Sequence, residues 1–160
     1  MSHDMNQSPS SGRYQTRHVY LDPAASQNLK SGTGDLVSFP VVHDQILIEE
    51  FGFEIVAAPG AVSVAGVLNL DIQVKDNGSR AIANSLAALT FDSTKSIYGK
   101  QSVNLNAGAS NSPVAGRTFP LANRGDVLVV EQITQGTGAG AQTVRPWIIY
   151  REMPVAGVQG

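Results

Sequence analysis

Cysteine is absent from all 160 residues, which removes disulfide stapling, thiolate metal sites and cysteine nucleophiles in one step. An absent thiol leaves the redox compartment open. Charge is scarce as well. Asp, Glu, Lys and Arg make up 15% of the chain, against the usual quarter or so. Eleven basic and thirteen acidic residues leave a formal charge of -2, so no global basic field exists to grip nucleic acid or an anionic membrane. No run approaches the roughly 18 consecutive apolar residues of a membrane helix. The first twenty residues, with His3, Asp4, Asn6, Gln7, Ser8, Ser10 and Arg13, lack the apolar centre of a signal peptide. What is present is a 42% hydrophobic share with 16 Gly and 8 Pro. That composition is enough for the core of one domain with frequent chain breaks.

Residues 1–34 are polar and rich in Ser, Gln, Asn and Gly, and read as a flexible or extended N-terminal arm. Its sparse apolar groups, Tyr14, Val19, Tyr20, Leu21 and Leu29, gain little by folding alone and would gain by lying along a neighbouring subunit. Residues 35–160 read as a single β domain. Pro40, among Leu36, Val37, Phe39, Val41 and Val42, denies a central strand and implies an edge or a bend. Residues 45–58 follow, with Phe51, Phe53 and Ile55 on one face. In residues 67–74, Leu68, Leu70, Ile72 and Val74 alternate with Asn69, Asp71 and Gln73, which places one face on a core and the other in water. Pro59-Gly60 and Asn77-Gly78 are turn signals. Residues 81–91 suit helix by their Ala and Leu content, yet Leu86, Leu89 and Phe91 also fit a strand, which is the expectation adopted. Short strands follow at 102–106, 126–134 and 144–151, with a small-residue loop at 108–116 and a flexible Gly-rich hairpin loop at 135–143. The expected fold is all-β, an antiparallel sandwich or jelly-roll-like barrel. The expected core is Phe51, Phe53, Ile55, Leu68, Leu70, Ile72, Val74, Val127, Val129, Ile148 and Tyr150.

Candidate chemistry reads as structural throughout. Arg124-Gly125-Asp126 spells the integrin-ligand tripeptide, but it leads straight into a strand, where the Asp carboxylate accepts a local backbone hydrogen bond. His3, His18 and His43 have no metal-ligand spacing and read as exposed loop residues. No Gly-x-Ser-x-Gly elbow is present. Glu49, Glu50 and Glu54 crowd within six positions and read as a solvated face rather than a carboxylate pair for general acid–base work. Gly136-Thr137-Gly138 is followed by no helix N-terminus, so phosphate cradling is unsupported. Trp147 reads as a core anchor or as a stacking platform for a sugar. With Ile148 and Tyr150 on one face of its strand and Trp147 and Ile149 on the other, both faces are apolar, as in a central strand or one covered by another chain. No catalytic, cofactor or metal residues are nominated.

Phe51-Gly52-Phe53-Glu54-Ile55-Val56 with its Pro-Gly turn, the run from Phe119 through Asn123-Arg124-Gly125-Asp126 to Val130, the Gly-Thr-Ala-rich loop and the final strand Pro146 to Tyr150 together resemble the head-decoration (cement) proteins of tailed bacteriophages. The resemblance implies a non-enzymatic virion protein without cofactor, membrane or nucleic-acid partner. It implies binding to the major capsid protein on the outer capsid surface, as a homo-oligomer with a trimer favoured, and bracing of the lattice. Partner contact then falls to Tyr14, Val19, Tyr20, Leu21 and Trp147. The competing expectations are a tail or fibre-base component and a carbohydrate-binding sandwich stacking through Trp147 or Tyr98.

Overall fold

The computed structural model describes residues 16–22, 26–29, 32–57, 60–76, 79–105, 120–138 and 142–153, with backbone alone for 74–76 and 79–84. The described residues form twelve strands and no helix: β1 (Thr16–Tyr20), β2 (Gln27–Asn28), β3 (Gly34–Pro40), β4 (Gln45–Ile55), β5 (Val62–Val64), β6 (Val67–Asp76), β7 (Ser79–Thr90), β8 (Lys100–Asn104), β9 (Leu121–Asn123), β10 (Val127–Thr134), β11 (Thr137–Gly138) and β12 (Thr143–Glu152). One sheet runs β1-β12-β4-β8, with β2 also on β12 and β9 also on β4. A second runs β3-β10-β6-β7, and β11 with β5 makes a small ribbon. All pairings are antiparallel, as expected where no crossover helix exists.

Phe51, Phe53, Ile55 and Ile148 of the first sheet share one apolar cluster with Leu68, Leu70, Ile72, Leu128 and Val130 of the second. This is the face-to-face packing of a β-sandwich. A bulge shapes it. Ile149 pairs with Glu50 and Tyr150 with Ile48, so Glu49 is the extra residue. The bulge switches β4 from even core positions, Ile46 and Ile48, to odd ones, Phe51, Phe53 and Ile55, all of them buried. Pro40 closes edge strand β3, the position its missing N–H requires. Pro146 sits in central β12, yet its carbonyl accepts the Leu21 N–H. A residue's N and C=O point to the same side of a strand, so the absent donor faces the gap between β1 and β2, where no partner strand is left short.

Several expectations change here. The boundary at residue 34 does not coincide with the sheet. β1 pairs with β12 from Thr16↔Arg151 to Tyr20↔Trp147, and Leu21 and Leu29 are buried in the shared cluster. These apolar residues find their partners in their own chain; residues 1–15, Tyr14 among them, lie outside the described residues. Val127 and Val129 are buried, but their neighbours Leu128 and Val130 supply the central cluster, because alternate residues face opposite sides. Asn69 and Asp71 are buried rather than wet, and the Val74 side chain is not among those the structure describes. The Gly-rich hairpin is partly strand. Thr137–Gly138 pairs with Val62–Val64, and Gly138, at φ +122°, approaches within 2.5 Å of the Ala61 carbonyl where a Cβ would stand, room that only glycine leaves.

Candidate interaction surface

β1 and β12 bring four of the five nominated contact residues together. Tyr20 lies opposite Trp147 and Val19 opposite Ile148, while Leu21 follows directly. Their exposure differs. Val19 and Tyr20 are half-buried, Leu21 is buried, and Trp147 is 3% exposed. Trp147 is therefore a packing anchor and no platform for a sugar, although it packs outside the central cluster, on the outer face of its sheet. A Cβ on Gly52, its partner across β4, would overlap the indole and stand 2.6 Å from the Gln101 carbonyl. The ring lies on bare backbone. His18 meets it edge-on with centroids 4.7 Å apart. His18 also lies 5.4 Å from the Tyr20 ring, and the Arg145 guanidinium stands 5.6 Å from the centre of that ring. The Tyr20 hydroxyl donates to Glu54 Oε2 at 2.5 Å. That bond, followed by burial and the Glu54 charge, raises the Tyr20 pKa and keeps the phenol protonated. The indole Nε1 is buried and has no hydrogen-bond partner among the described residues.

The remaining candidates are committed to structure. Glu54 is buried beneath Tyr20 rather than solvated, Glu49 pairs with Arg151, and Glu50 accepts from the Ser102 hydroxyl. His18 is exposed as expected but lies on strand β1, and His43 lies in a loop as expected but is half-buried. His43 Nε2 is hydrogen-bonded to the Tyr150 hydroxyl at 3.2 Å, and its Nδ1 stands 3.5 Å from Glu152 Oε1. In the Arg124-Gly125-Asp126 turn, Asp126 is buried and its Oδ2 accepts the Asn123 N–H at 2.7 Å. Gly125 takes φ +92°, and Arg124 pairs with Asp44 at 2.7 Å. The tripeptide is a tight turn. Among the described residues, no three His, Asp or Glu side chains form a group that could hold a metal.

One exposed feature was visible in the sequence only as an isolated aromatic. Tyr98, in the β7–β8 loop, is 71% exposed, and its neighbour Ile97 is 42% exposed. Tyr98 holds φ +63° and is the one residue other than glycine at positive φ among those described. The loop is pinned on both sides: Tyr98 N–H donates to the Ile55 carbonyl at 2.7 Å, Ile55 N–H to Gly99, and Gly99 N–H to Ser96. Asp92 accepts from the Thr94 N–H and hydroxyl, bonds that lower its pKa. Its own N–H donates to Gln101 Oε1.

No family model matches the sequence, and no curated protein matches it as a relative. Among solved structures, a chain of "Structure of infectious bursal disease virus Gx strain" is similar over 89% of this chain, with 13% identity and a TM-score of 0.30. This chain spans 42% of that one. A likeness of that size has no bearing on function.

Proposed function

We propose that this protein is a non-enzymatic structural component of a virion. In this reading it is a capsid decoration protein that binds the major capsid protein on the outer head surface and braces the lattice as a homo-oligomer. The observation that carries the reading is how the polar groups are spent. The Glu residues of β4, the histidines of β1 and the β3–β4 loop, and the Arg-Gly-Asp turn make contacts within the chain, while among the described residues the edge strands β1, β8, β3 and β7 pair with no further strand and the tip at Tyr98 is exposed. A rigid sandwich with edge strands can be extended by a neighbour's strand. A specific contact of ordinary size takes roughly 800 Å² per partner, and repetition around a symmetry axis adds avidity.

The test is quantitative mass spectrometry and cryo-electron microscopy of purified particles of the virus that encodes the chain. Stoichiometric copies on the outer shell are expected, and particles that break at lower thermal stress without them. Purified particles devoid of the protein would overturn the reading, and density at the tail alone would move it to the tail or fibre base. The carbohydrate-binding reading now rests on Tyr98, since Trp147 is covered. A glycan titration that shifts wild-type tyrosine fluorescence but not Tyr98→Ala would favour it.

A further inference from the structure

Tyr98 buries little and sits where its backbone is unfavourable. A bulky residue in the left-handed region is a genuine outlier, and such strain persists only where surrounding bonds impose it. Those bonds are the ones to Ile55, Ser96 and Gln101. Stability alone would favour glycine at this position, and Gly99 stands next door. The ring is thus held out, in advance, for something outside the chain. Exposed Lys95 and Lys100 flank it. The Lys95 Cβ stands 3.2 Å from where a Gly99 Cβ would be, so this side chain leaves the backbone at the tip; Asp92, the acid of the loop, accepts from Thr94 and also feels the Lys95 charge, which leaves Lys100 as the cation without that neighbour.

The outer face of the second sheet has the complementary character. Asp35 of β3 lies opposite Glu131 of β10, and Glu131 lies opposite Asn69 of β6. Asp71 accepts from the Asn69 amide at 2.6 Å, and Asn69 in turn accepts from the Ser85 hydroxyl, while Glu131 stands close enough to raise the proton affinity of Asp71. Among the described residues, no Lys or Arg pairs with these three carboxyls. The crowding pushes the Asp71 carboxyl up to about 6, by burial first and then by the charges of Glu131 and Asp35. Two residues along β10, Ile133 is 46% exposed. The face thus offers an apolar residue beside surplus negative charge, and the tip offers an apolar pair beside positive charge. Thr90, which leads toward the tip, and Thr134, which follows Ile133, both pair with Val67, so the two patches occupy the same end of the sandwich.

We propose that the Ile97–Tyr98 tip, with Lys95 and Lys100, docks on Asp35, Glu131 and Ile133 of a second copy of this chain, at the part of the second sheet's outer face that is not buried. The contact joins two different surfaces, so each copy gives its tip to one neighbour and its face to another, which closes into a ring where the rotation permits. The contact is a property of the chain alone and goes beyond the virion reading, so its test needs no shell.

The experiment is sedimentation equilibrium of the purified full chain at low and high salt. Self-association that weakens with salt is expected for the wild type. Tyr98→Gly, which relieves the backbone while deleting the anchor, is expected to weaken it at least about tenfold with no loss of thermal stability. The double variants Lys95→Glu/Lys100→Glu and Asp35→Lys/Glu131→Lys should each lose self-association, and an equimolar mixture of the two should associate again. A wild type that stays monomeric, a Tyr98→Gly variant that associates as the wild type does, or a charge-swapped mixture that stays monomeric would each overturn the proposal. Tyr98-dependent binding to glycans by a monomeric protein would overturn it too.

Discussion

Gly52 and Trp147 determine each other's identity across the β4–β12 pair. The indole occupies the space a side chain at 52 would need, and the bare backbone beneath it lets the largest side chain in the protein stay covered on an outer sheet face. Gly52→Ala must displace the ring or bend β4 against the Gln101 carbonyl. Overpacking of this kind costs about 1–3 kcal/mol. Urea unfolding should show that loss, together with a red shift of the emission of the one tryptophan. The Tyr20 hydroxyl does a related service for Glu54. Tyr20→Phe removes the donor and leaves a covered carboxylate short of a partner, at a cost of about 1–3 kcal/mol. A variant with unchanged stability in the same assay would show that water satisfies Glu54 without help.

β1 is where sequence and structure part company, and the reason is physical. Thr16–Tyr20 carries too few apolar residues to signal a strand on its own, because an edge strand needs only one good side. Its stability comes from the register with β12 and from Leu21 dropping into the common core. Nothing local in the sequence reports that long-range pairing. The alternation in β6, the β-branched run of β10 and the apolar β12 were legible because each repeats its signal over eight or more residues. The bulge at Glu49 was not, since one extra residue flips the face without changing composition. The candidate surface was half legible: Tyr20 and Trp147 stood out as aromatics, but their covered state depends on Gly52, His18 and Glu54 from other strands. If β1 belongs to the sandwich, a chain starting at residue 23 cannot behave as a trimmed arm. Loss of buried Leu21 alone is worth about 3 kcal/mol, a fall in Tm of roughly 10 °C for a domain of this size. Circular dichroism melts of that truncation test it, and an unchanged Tm would return β1 to the status of a removable arm.

At the scale of the whole molecule, the two outer sheet faces differ in electrostatic balance, and the difference shows in how stability depends on pH. On the first sheet, carboxylates meet cations or hydroxyls: Glu49 with Arg151, Glu152 with Arg17, Glu54 with Tyr20. On the second, Asp71 meets Glu131 and Asp35, and its pKa rises from the ordinary 3.8 to about 6. A carboxyl held above its ordinary value binds its proton more tightly in the folded chain than in the unfolded one. It therefore favours folding most at low pH and loses that contribution as pH rises from about 4 to about 6. Above that window the charged Asp71 works against the fold. Asp71→Asn keeps an oxygen to accept from Asn69, gains an N–H to offer Glu131, and removes one of three negative charges. The variant should melt higher than the wild type at pH 7.5, and the gap should narrow as the pH is lowered toward 5. The difference between the two melting curves isolates Asp71 from every other titrating group, since those are common to both proteins. A gap that stays constant with pH would mean that Asp71 keeps an ordinary proton affinity and that the crowding on this face is relieved by solvent.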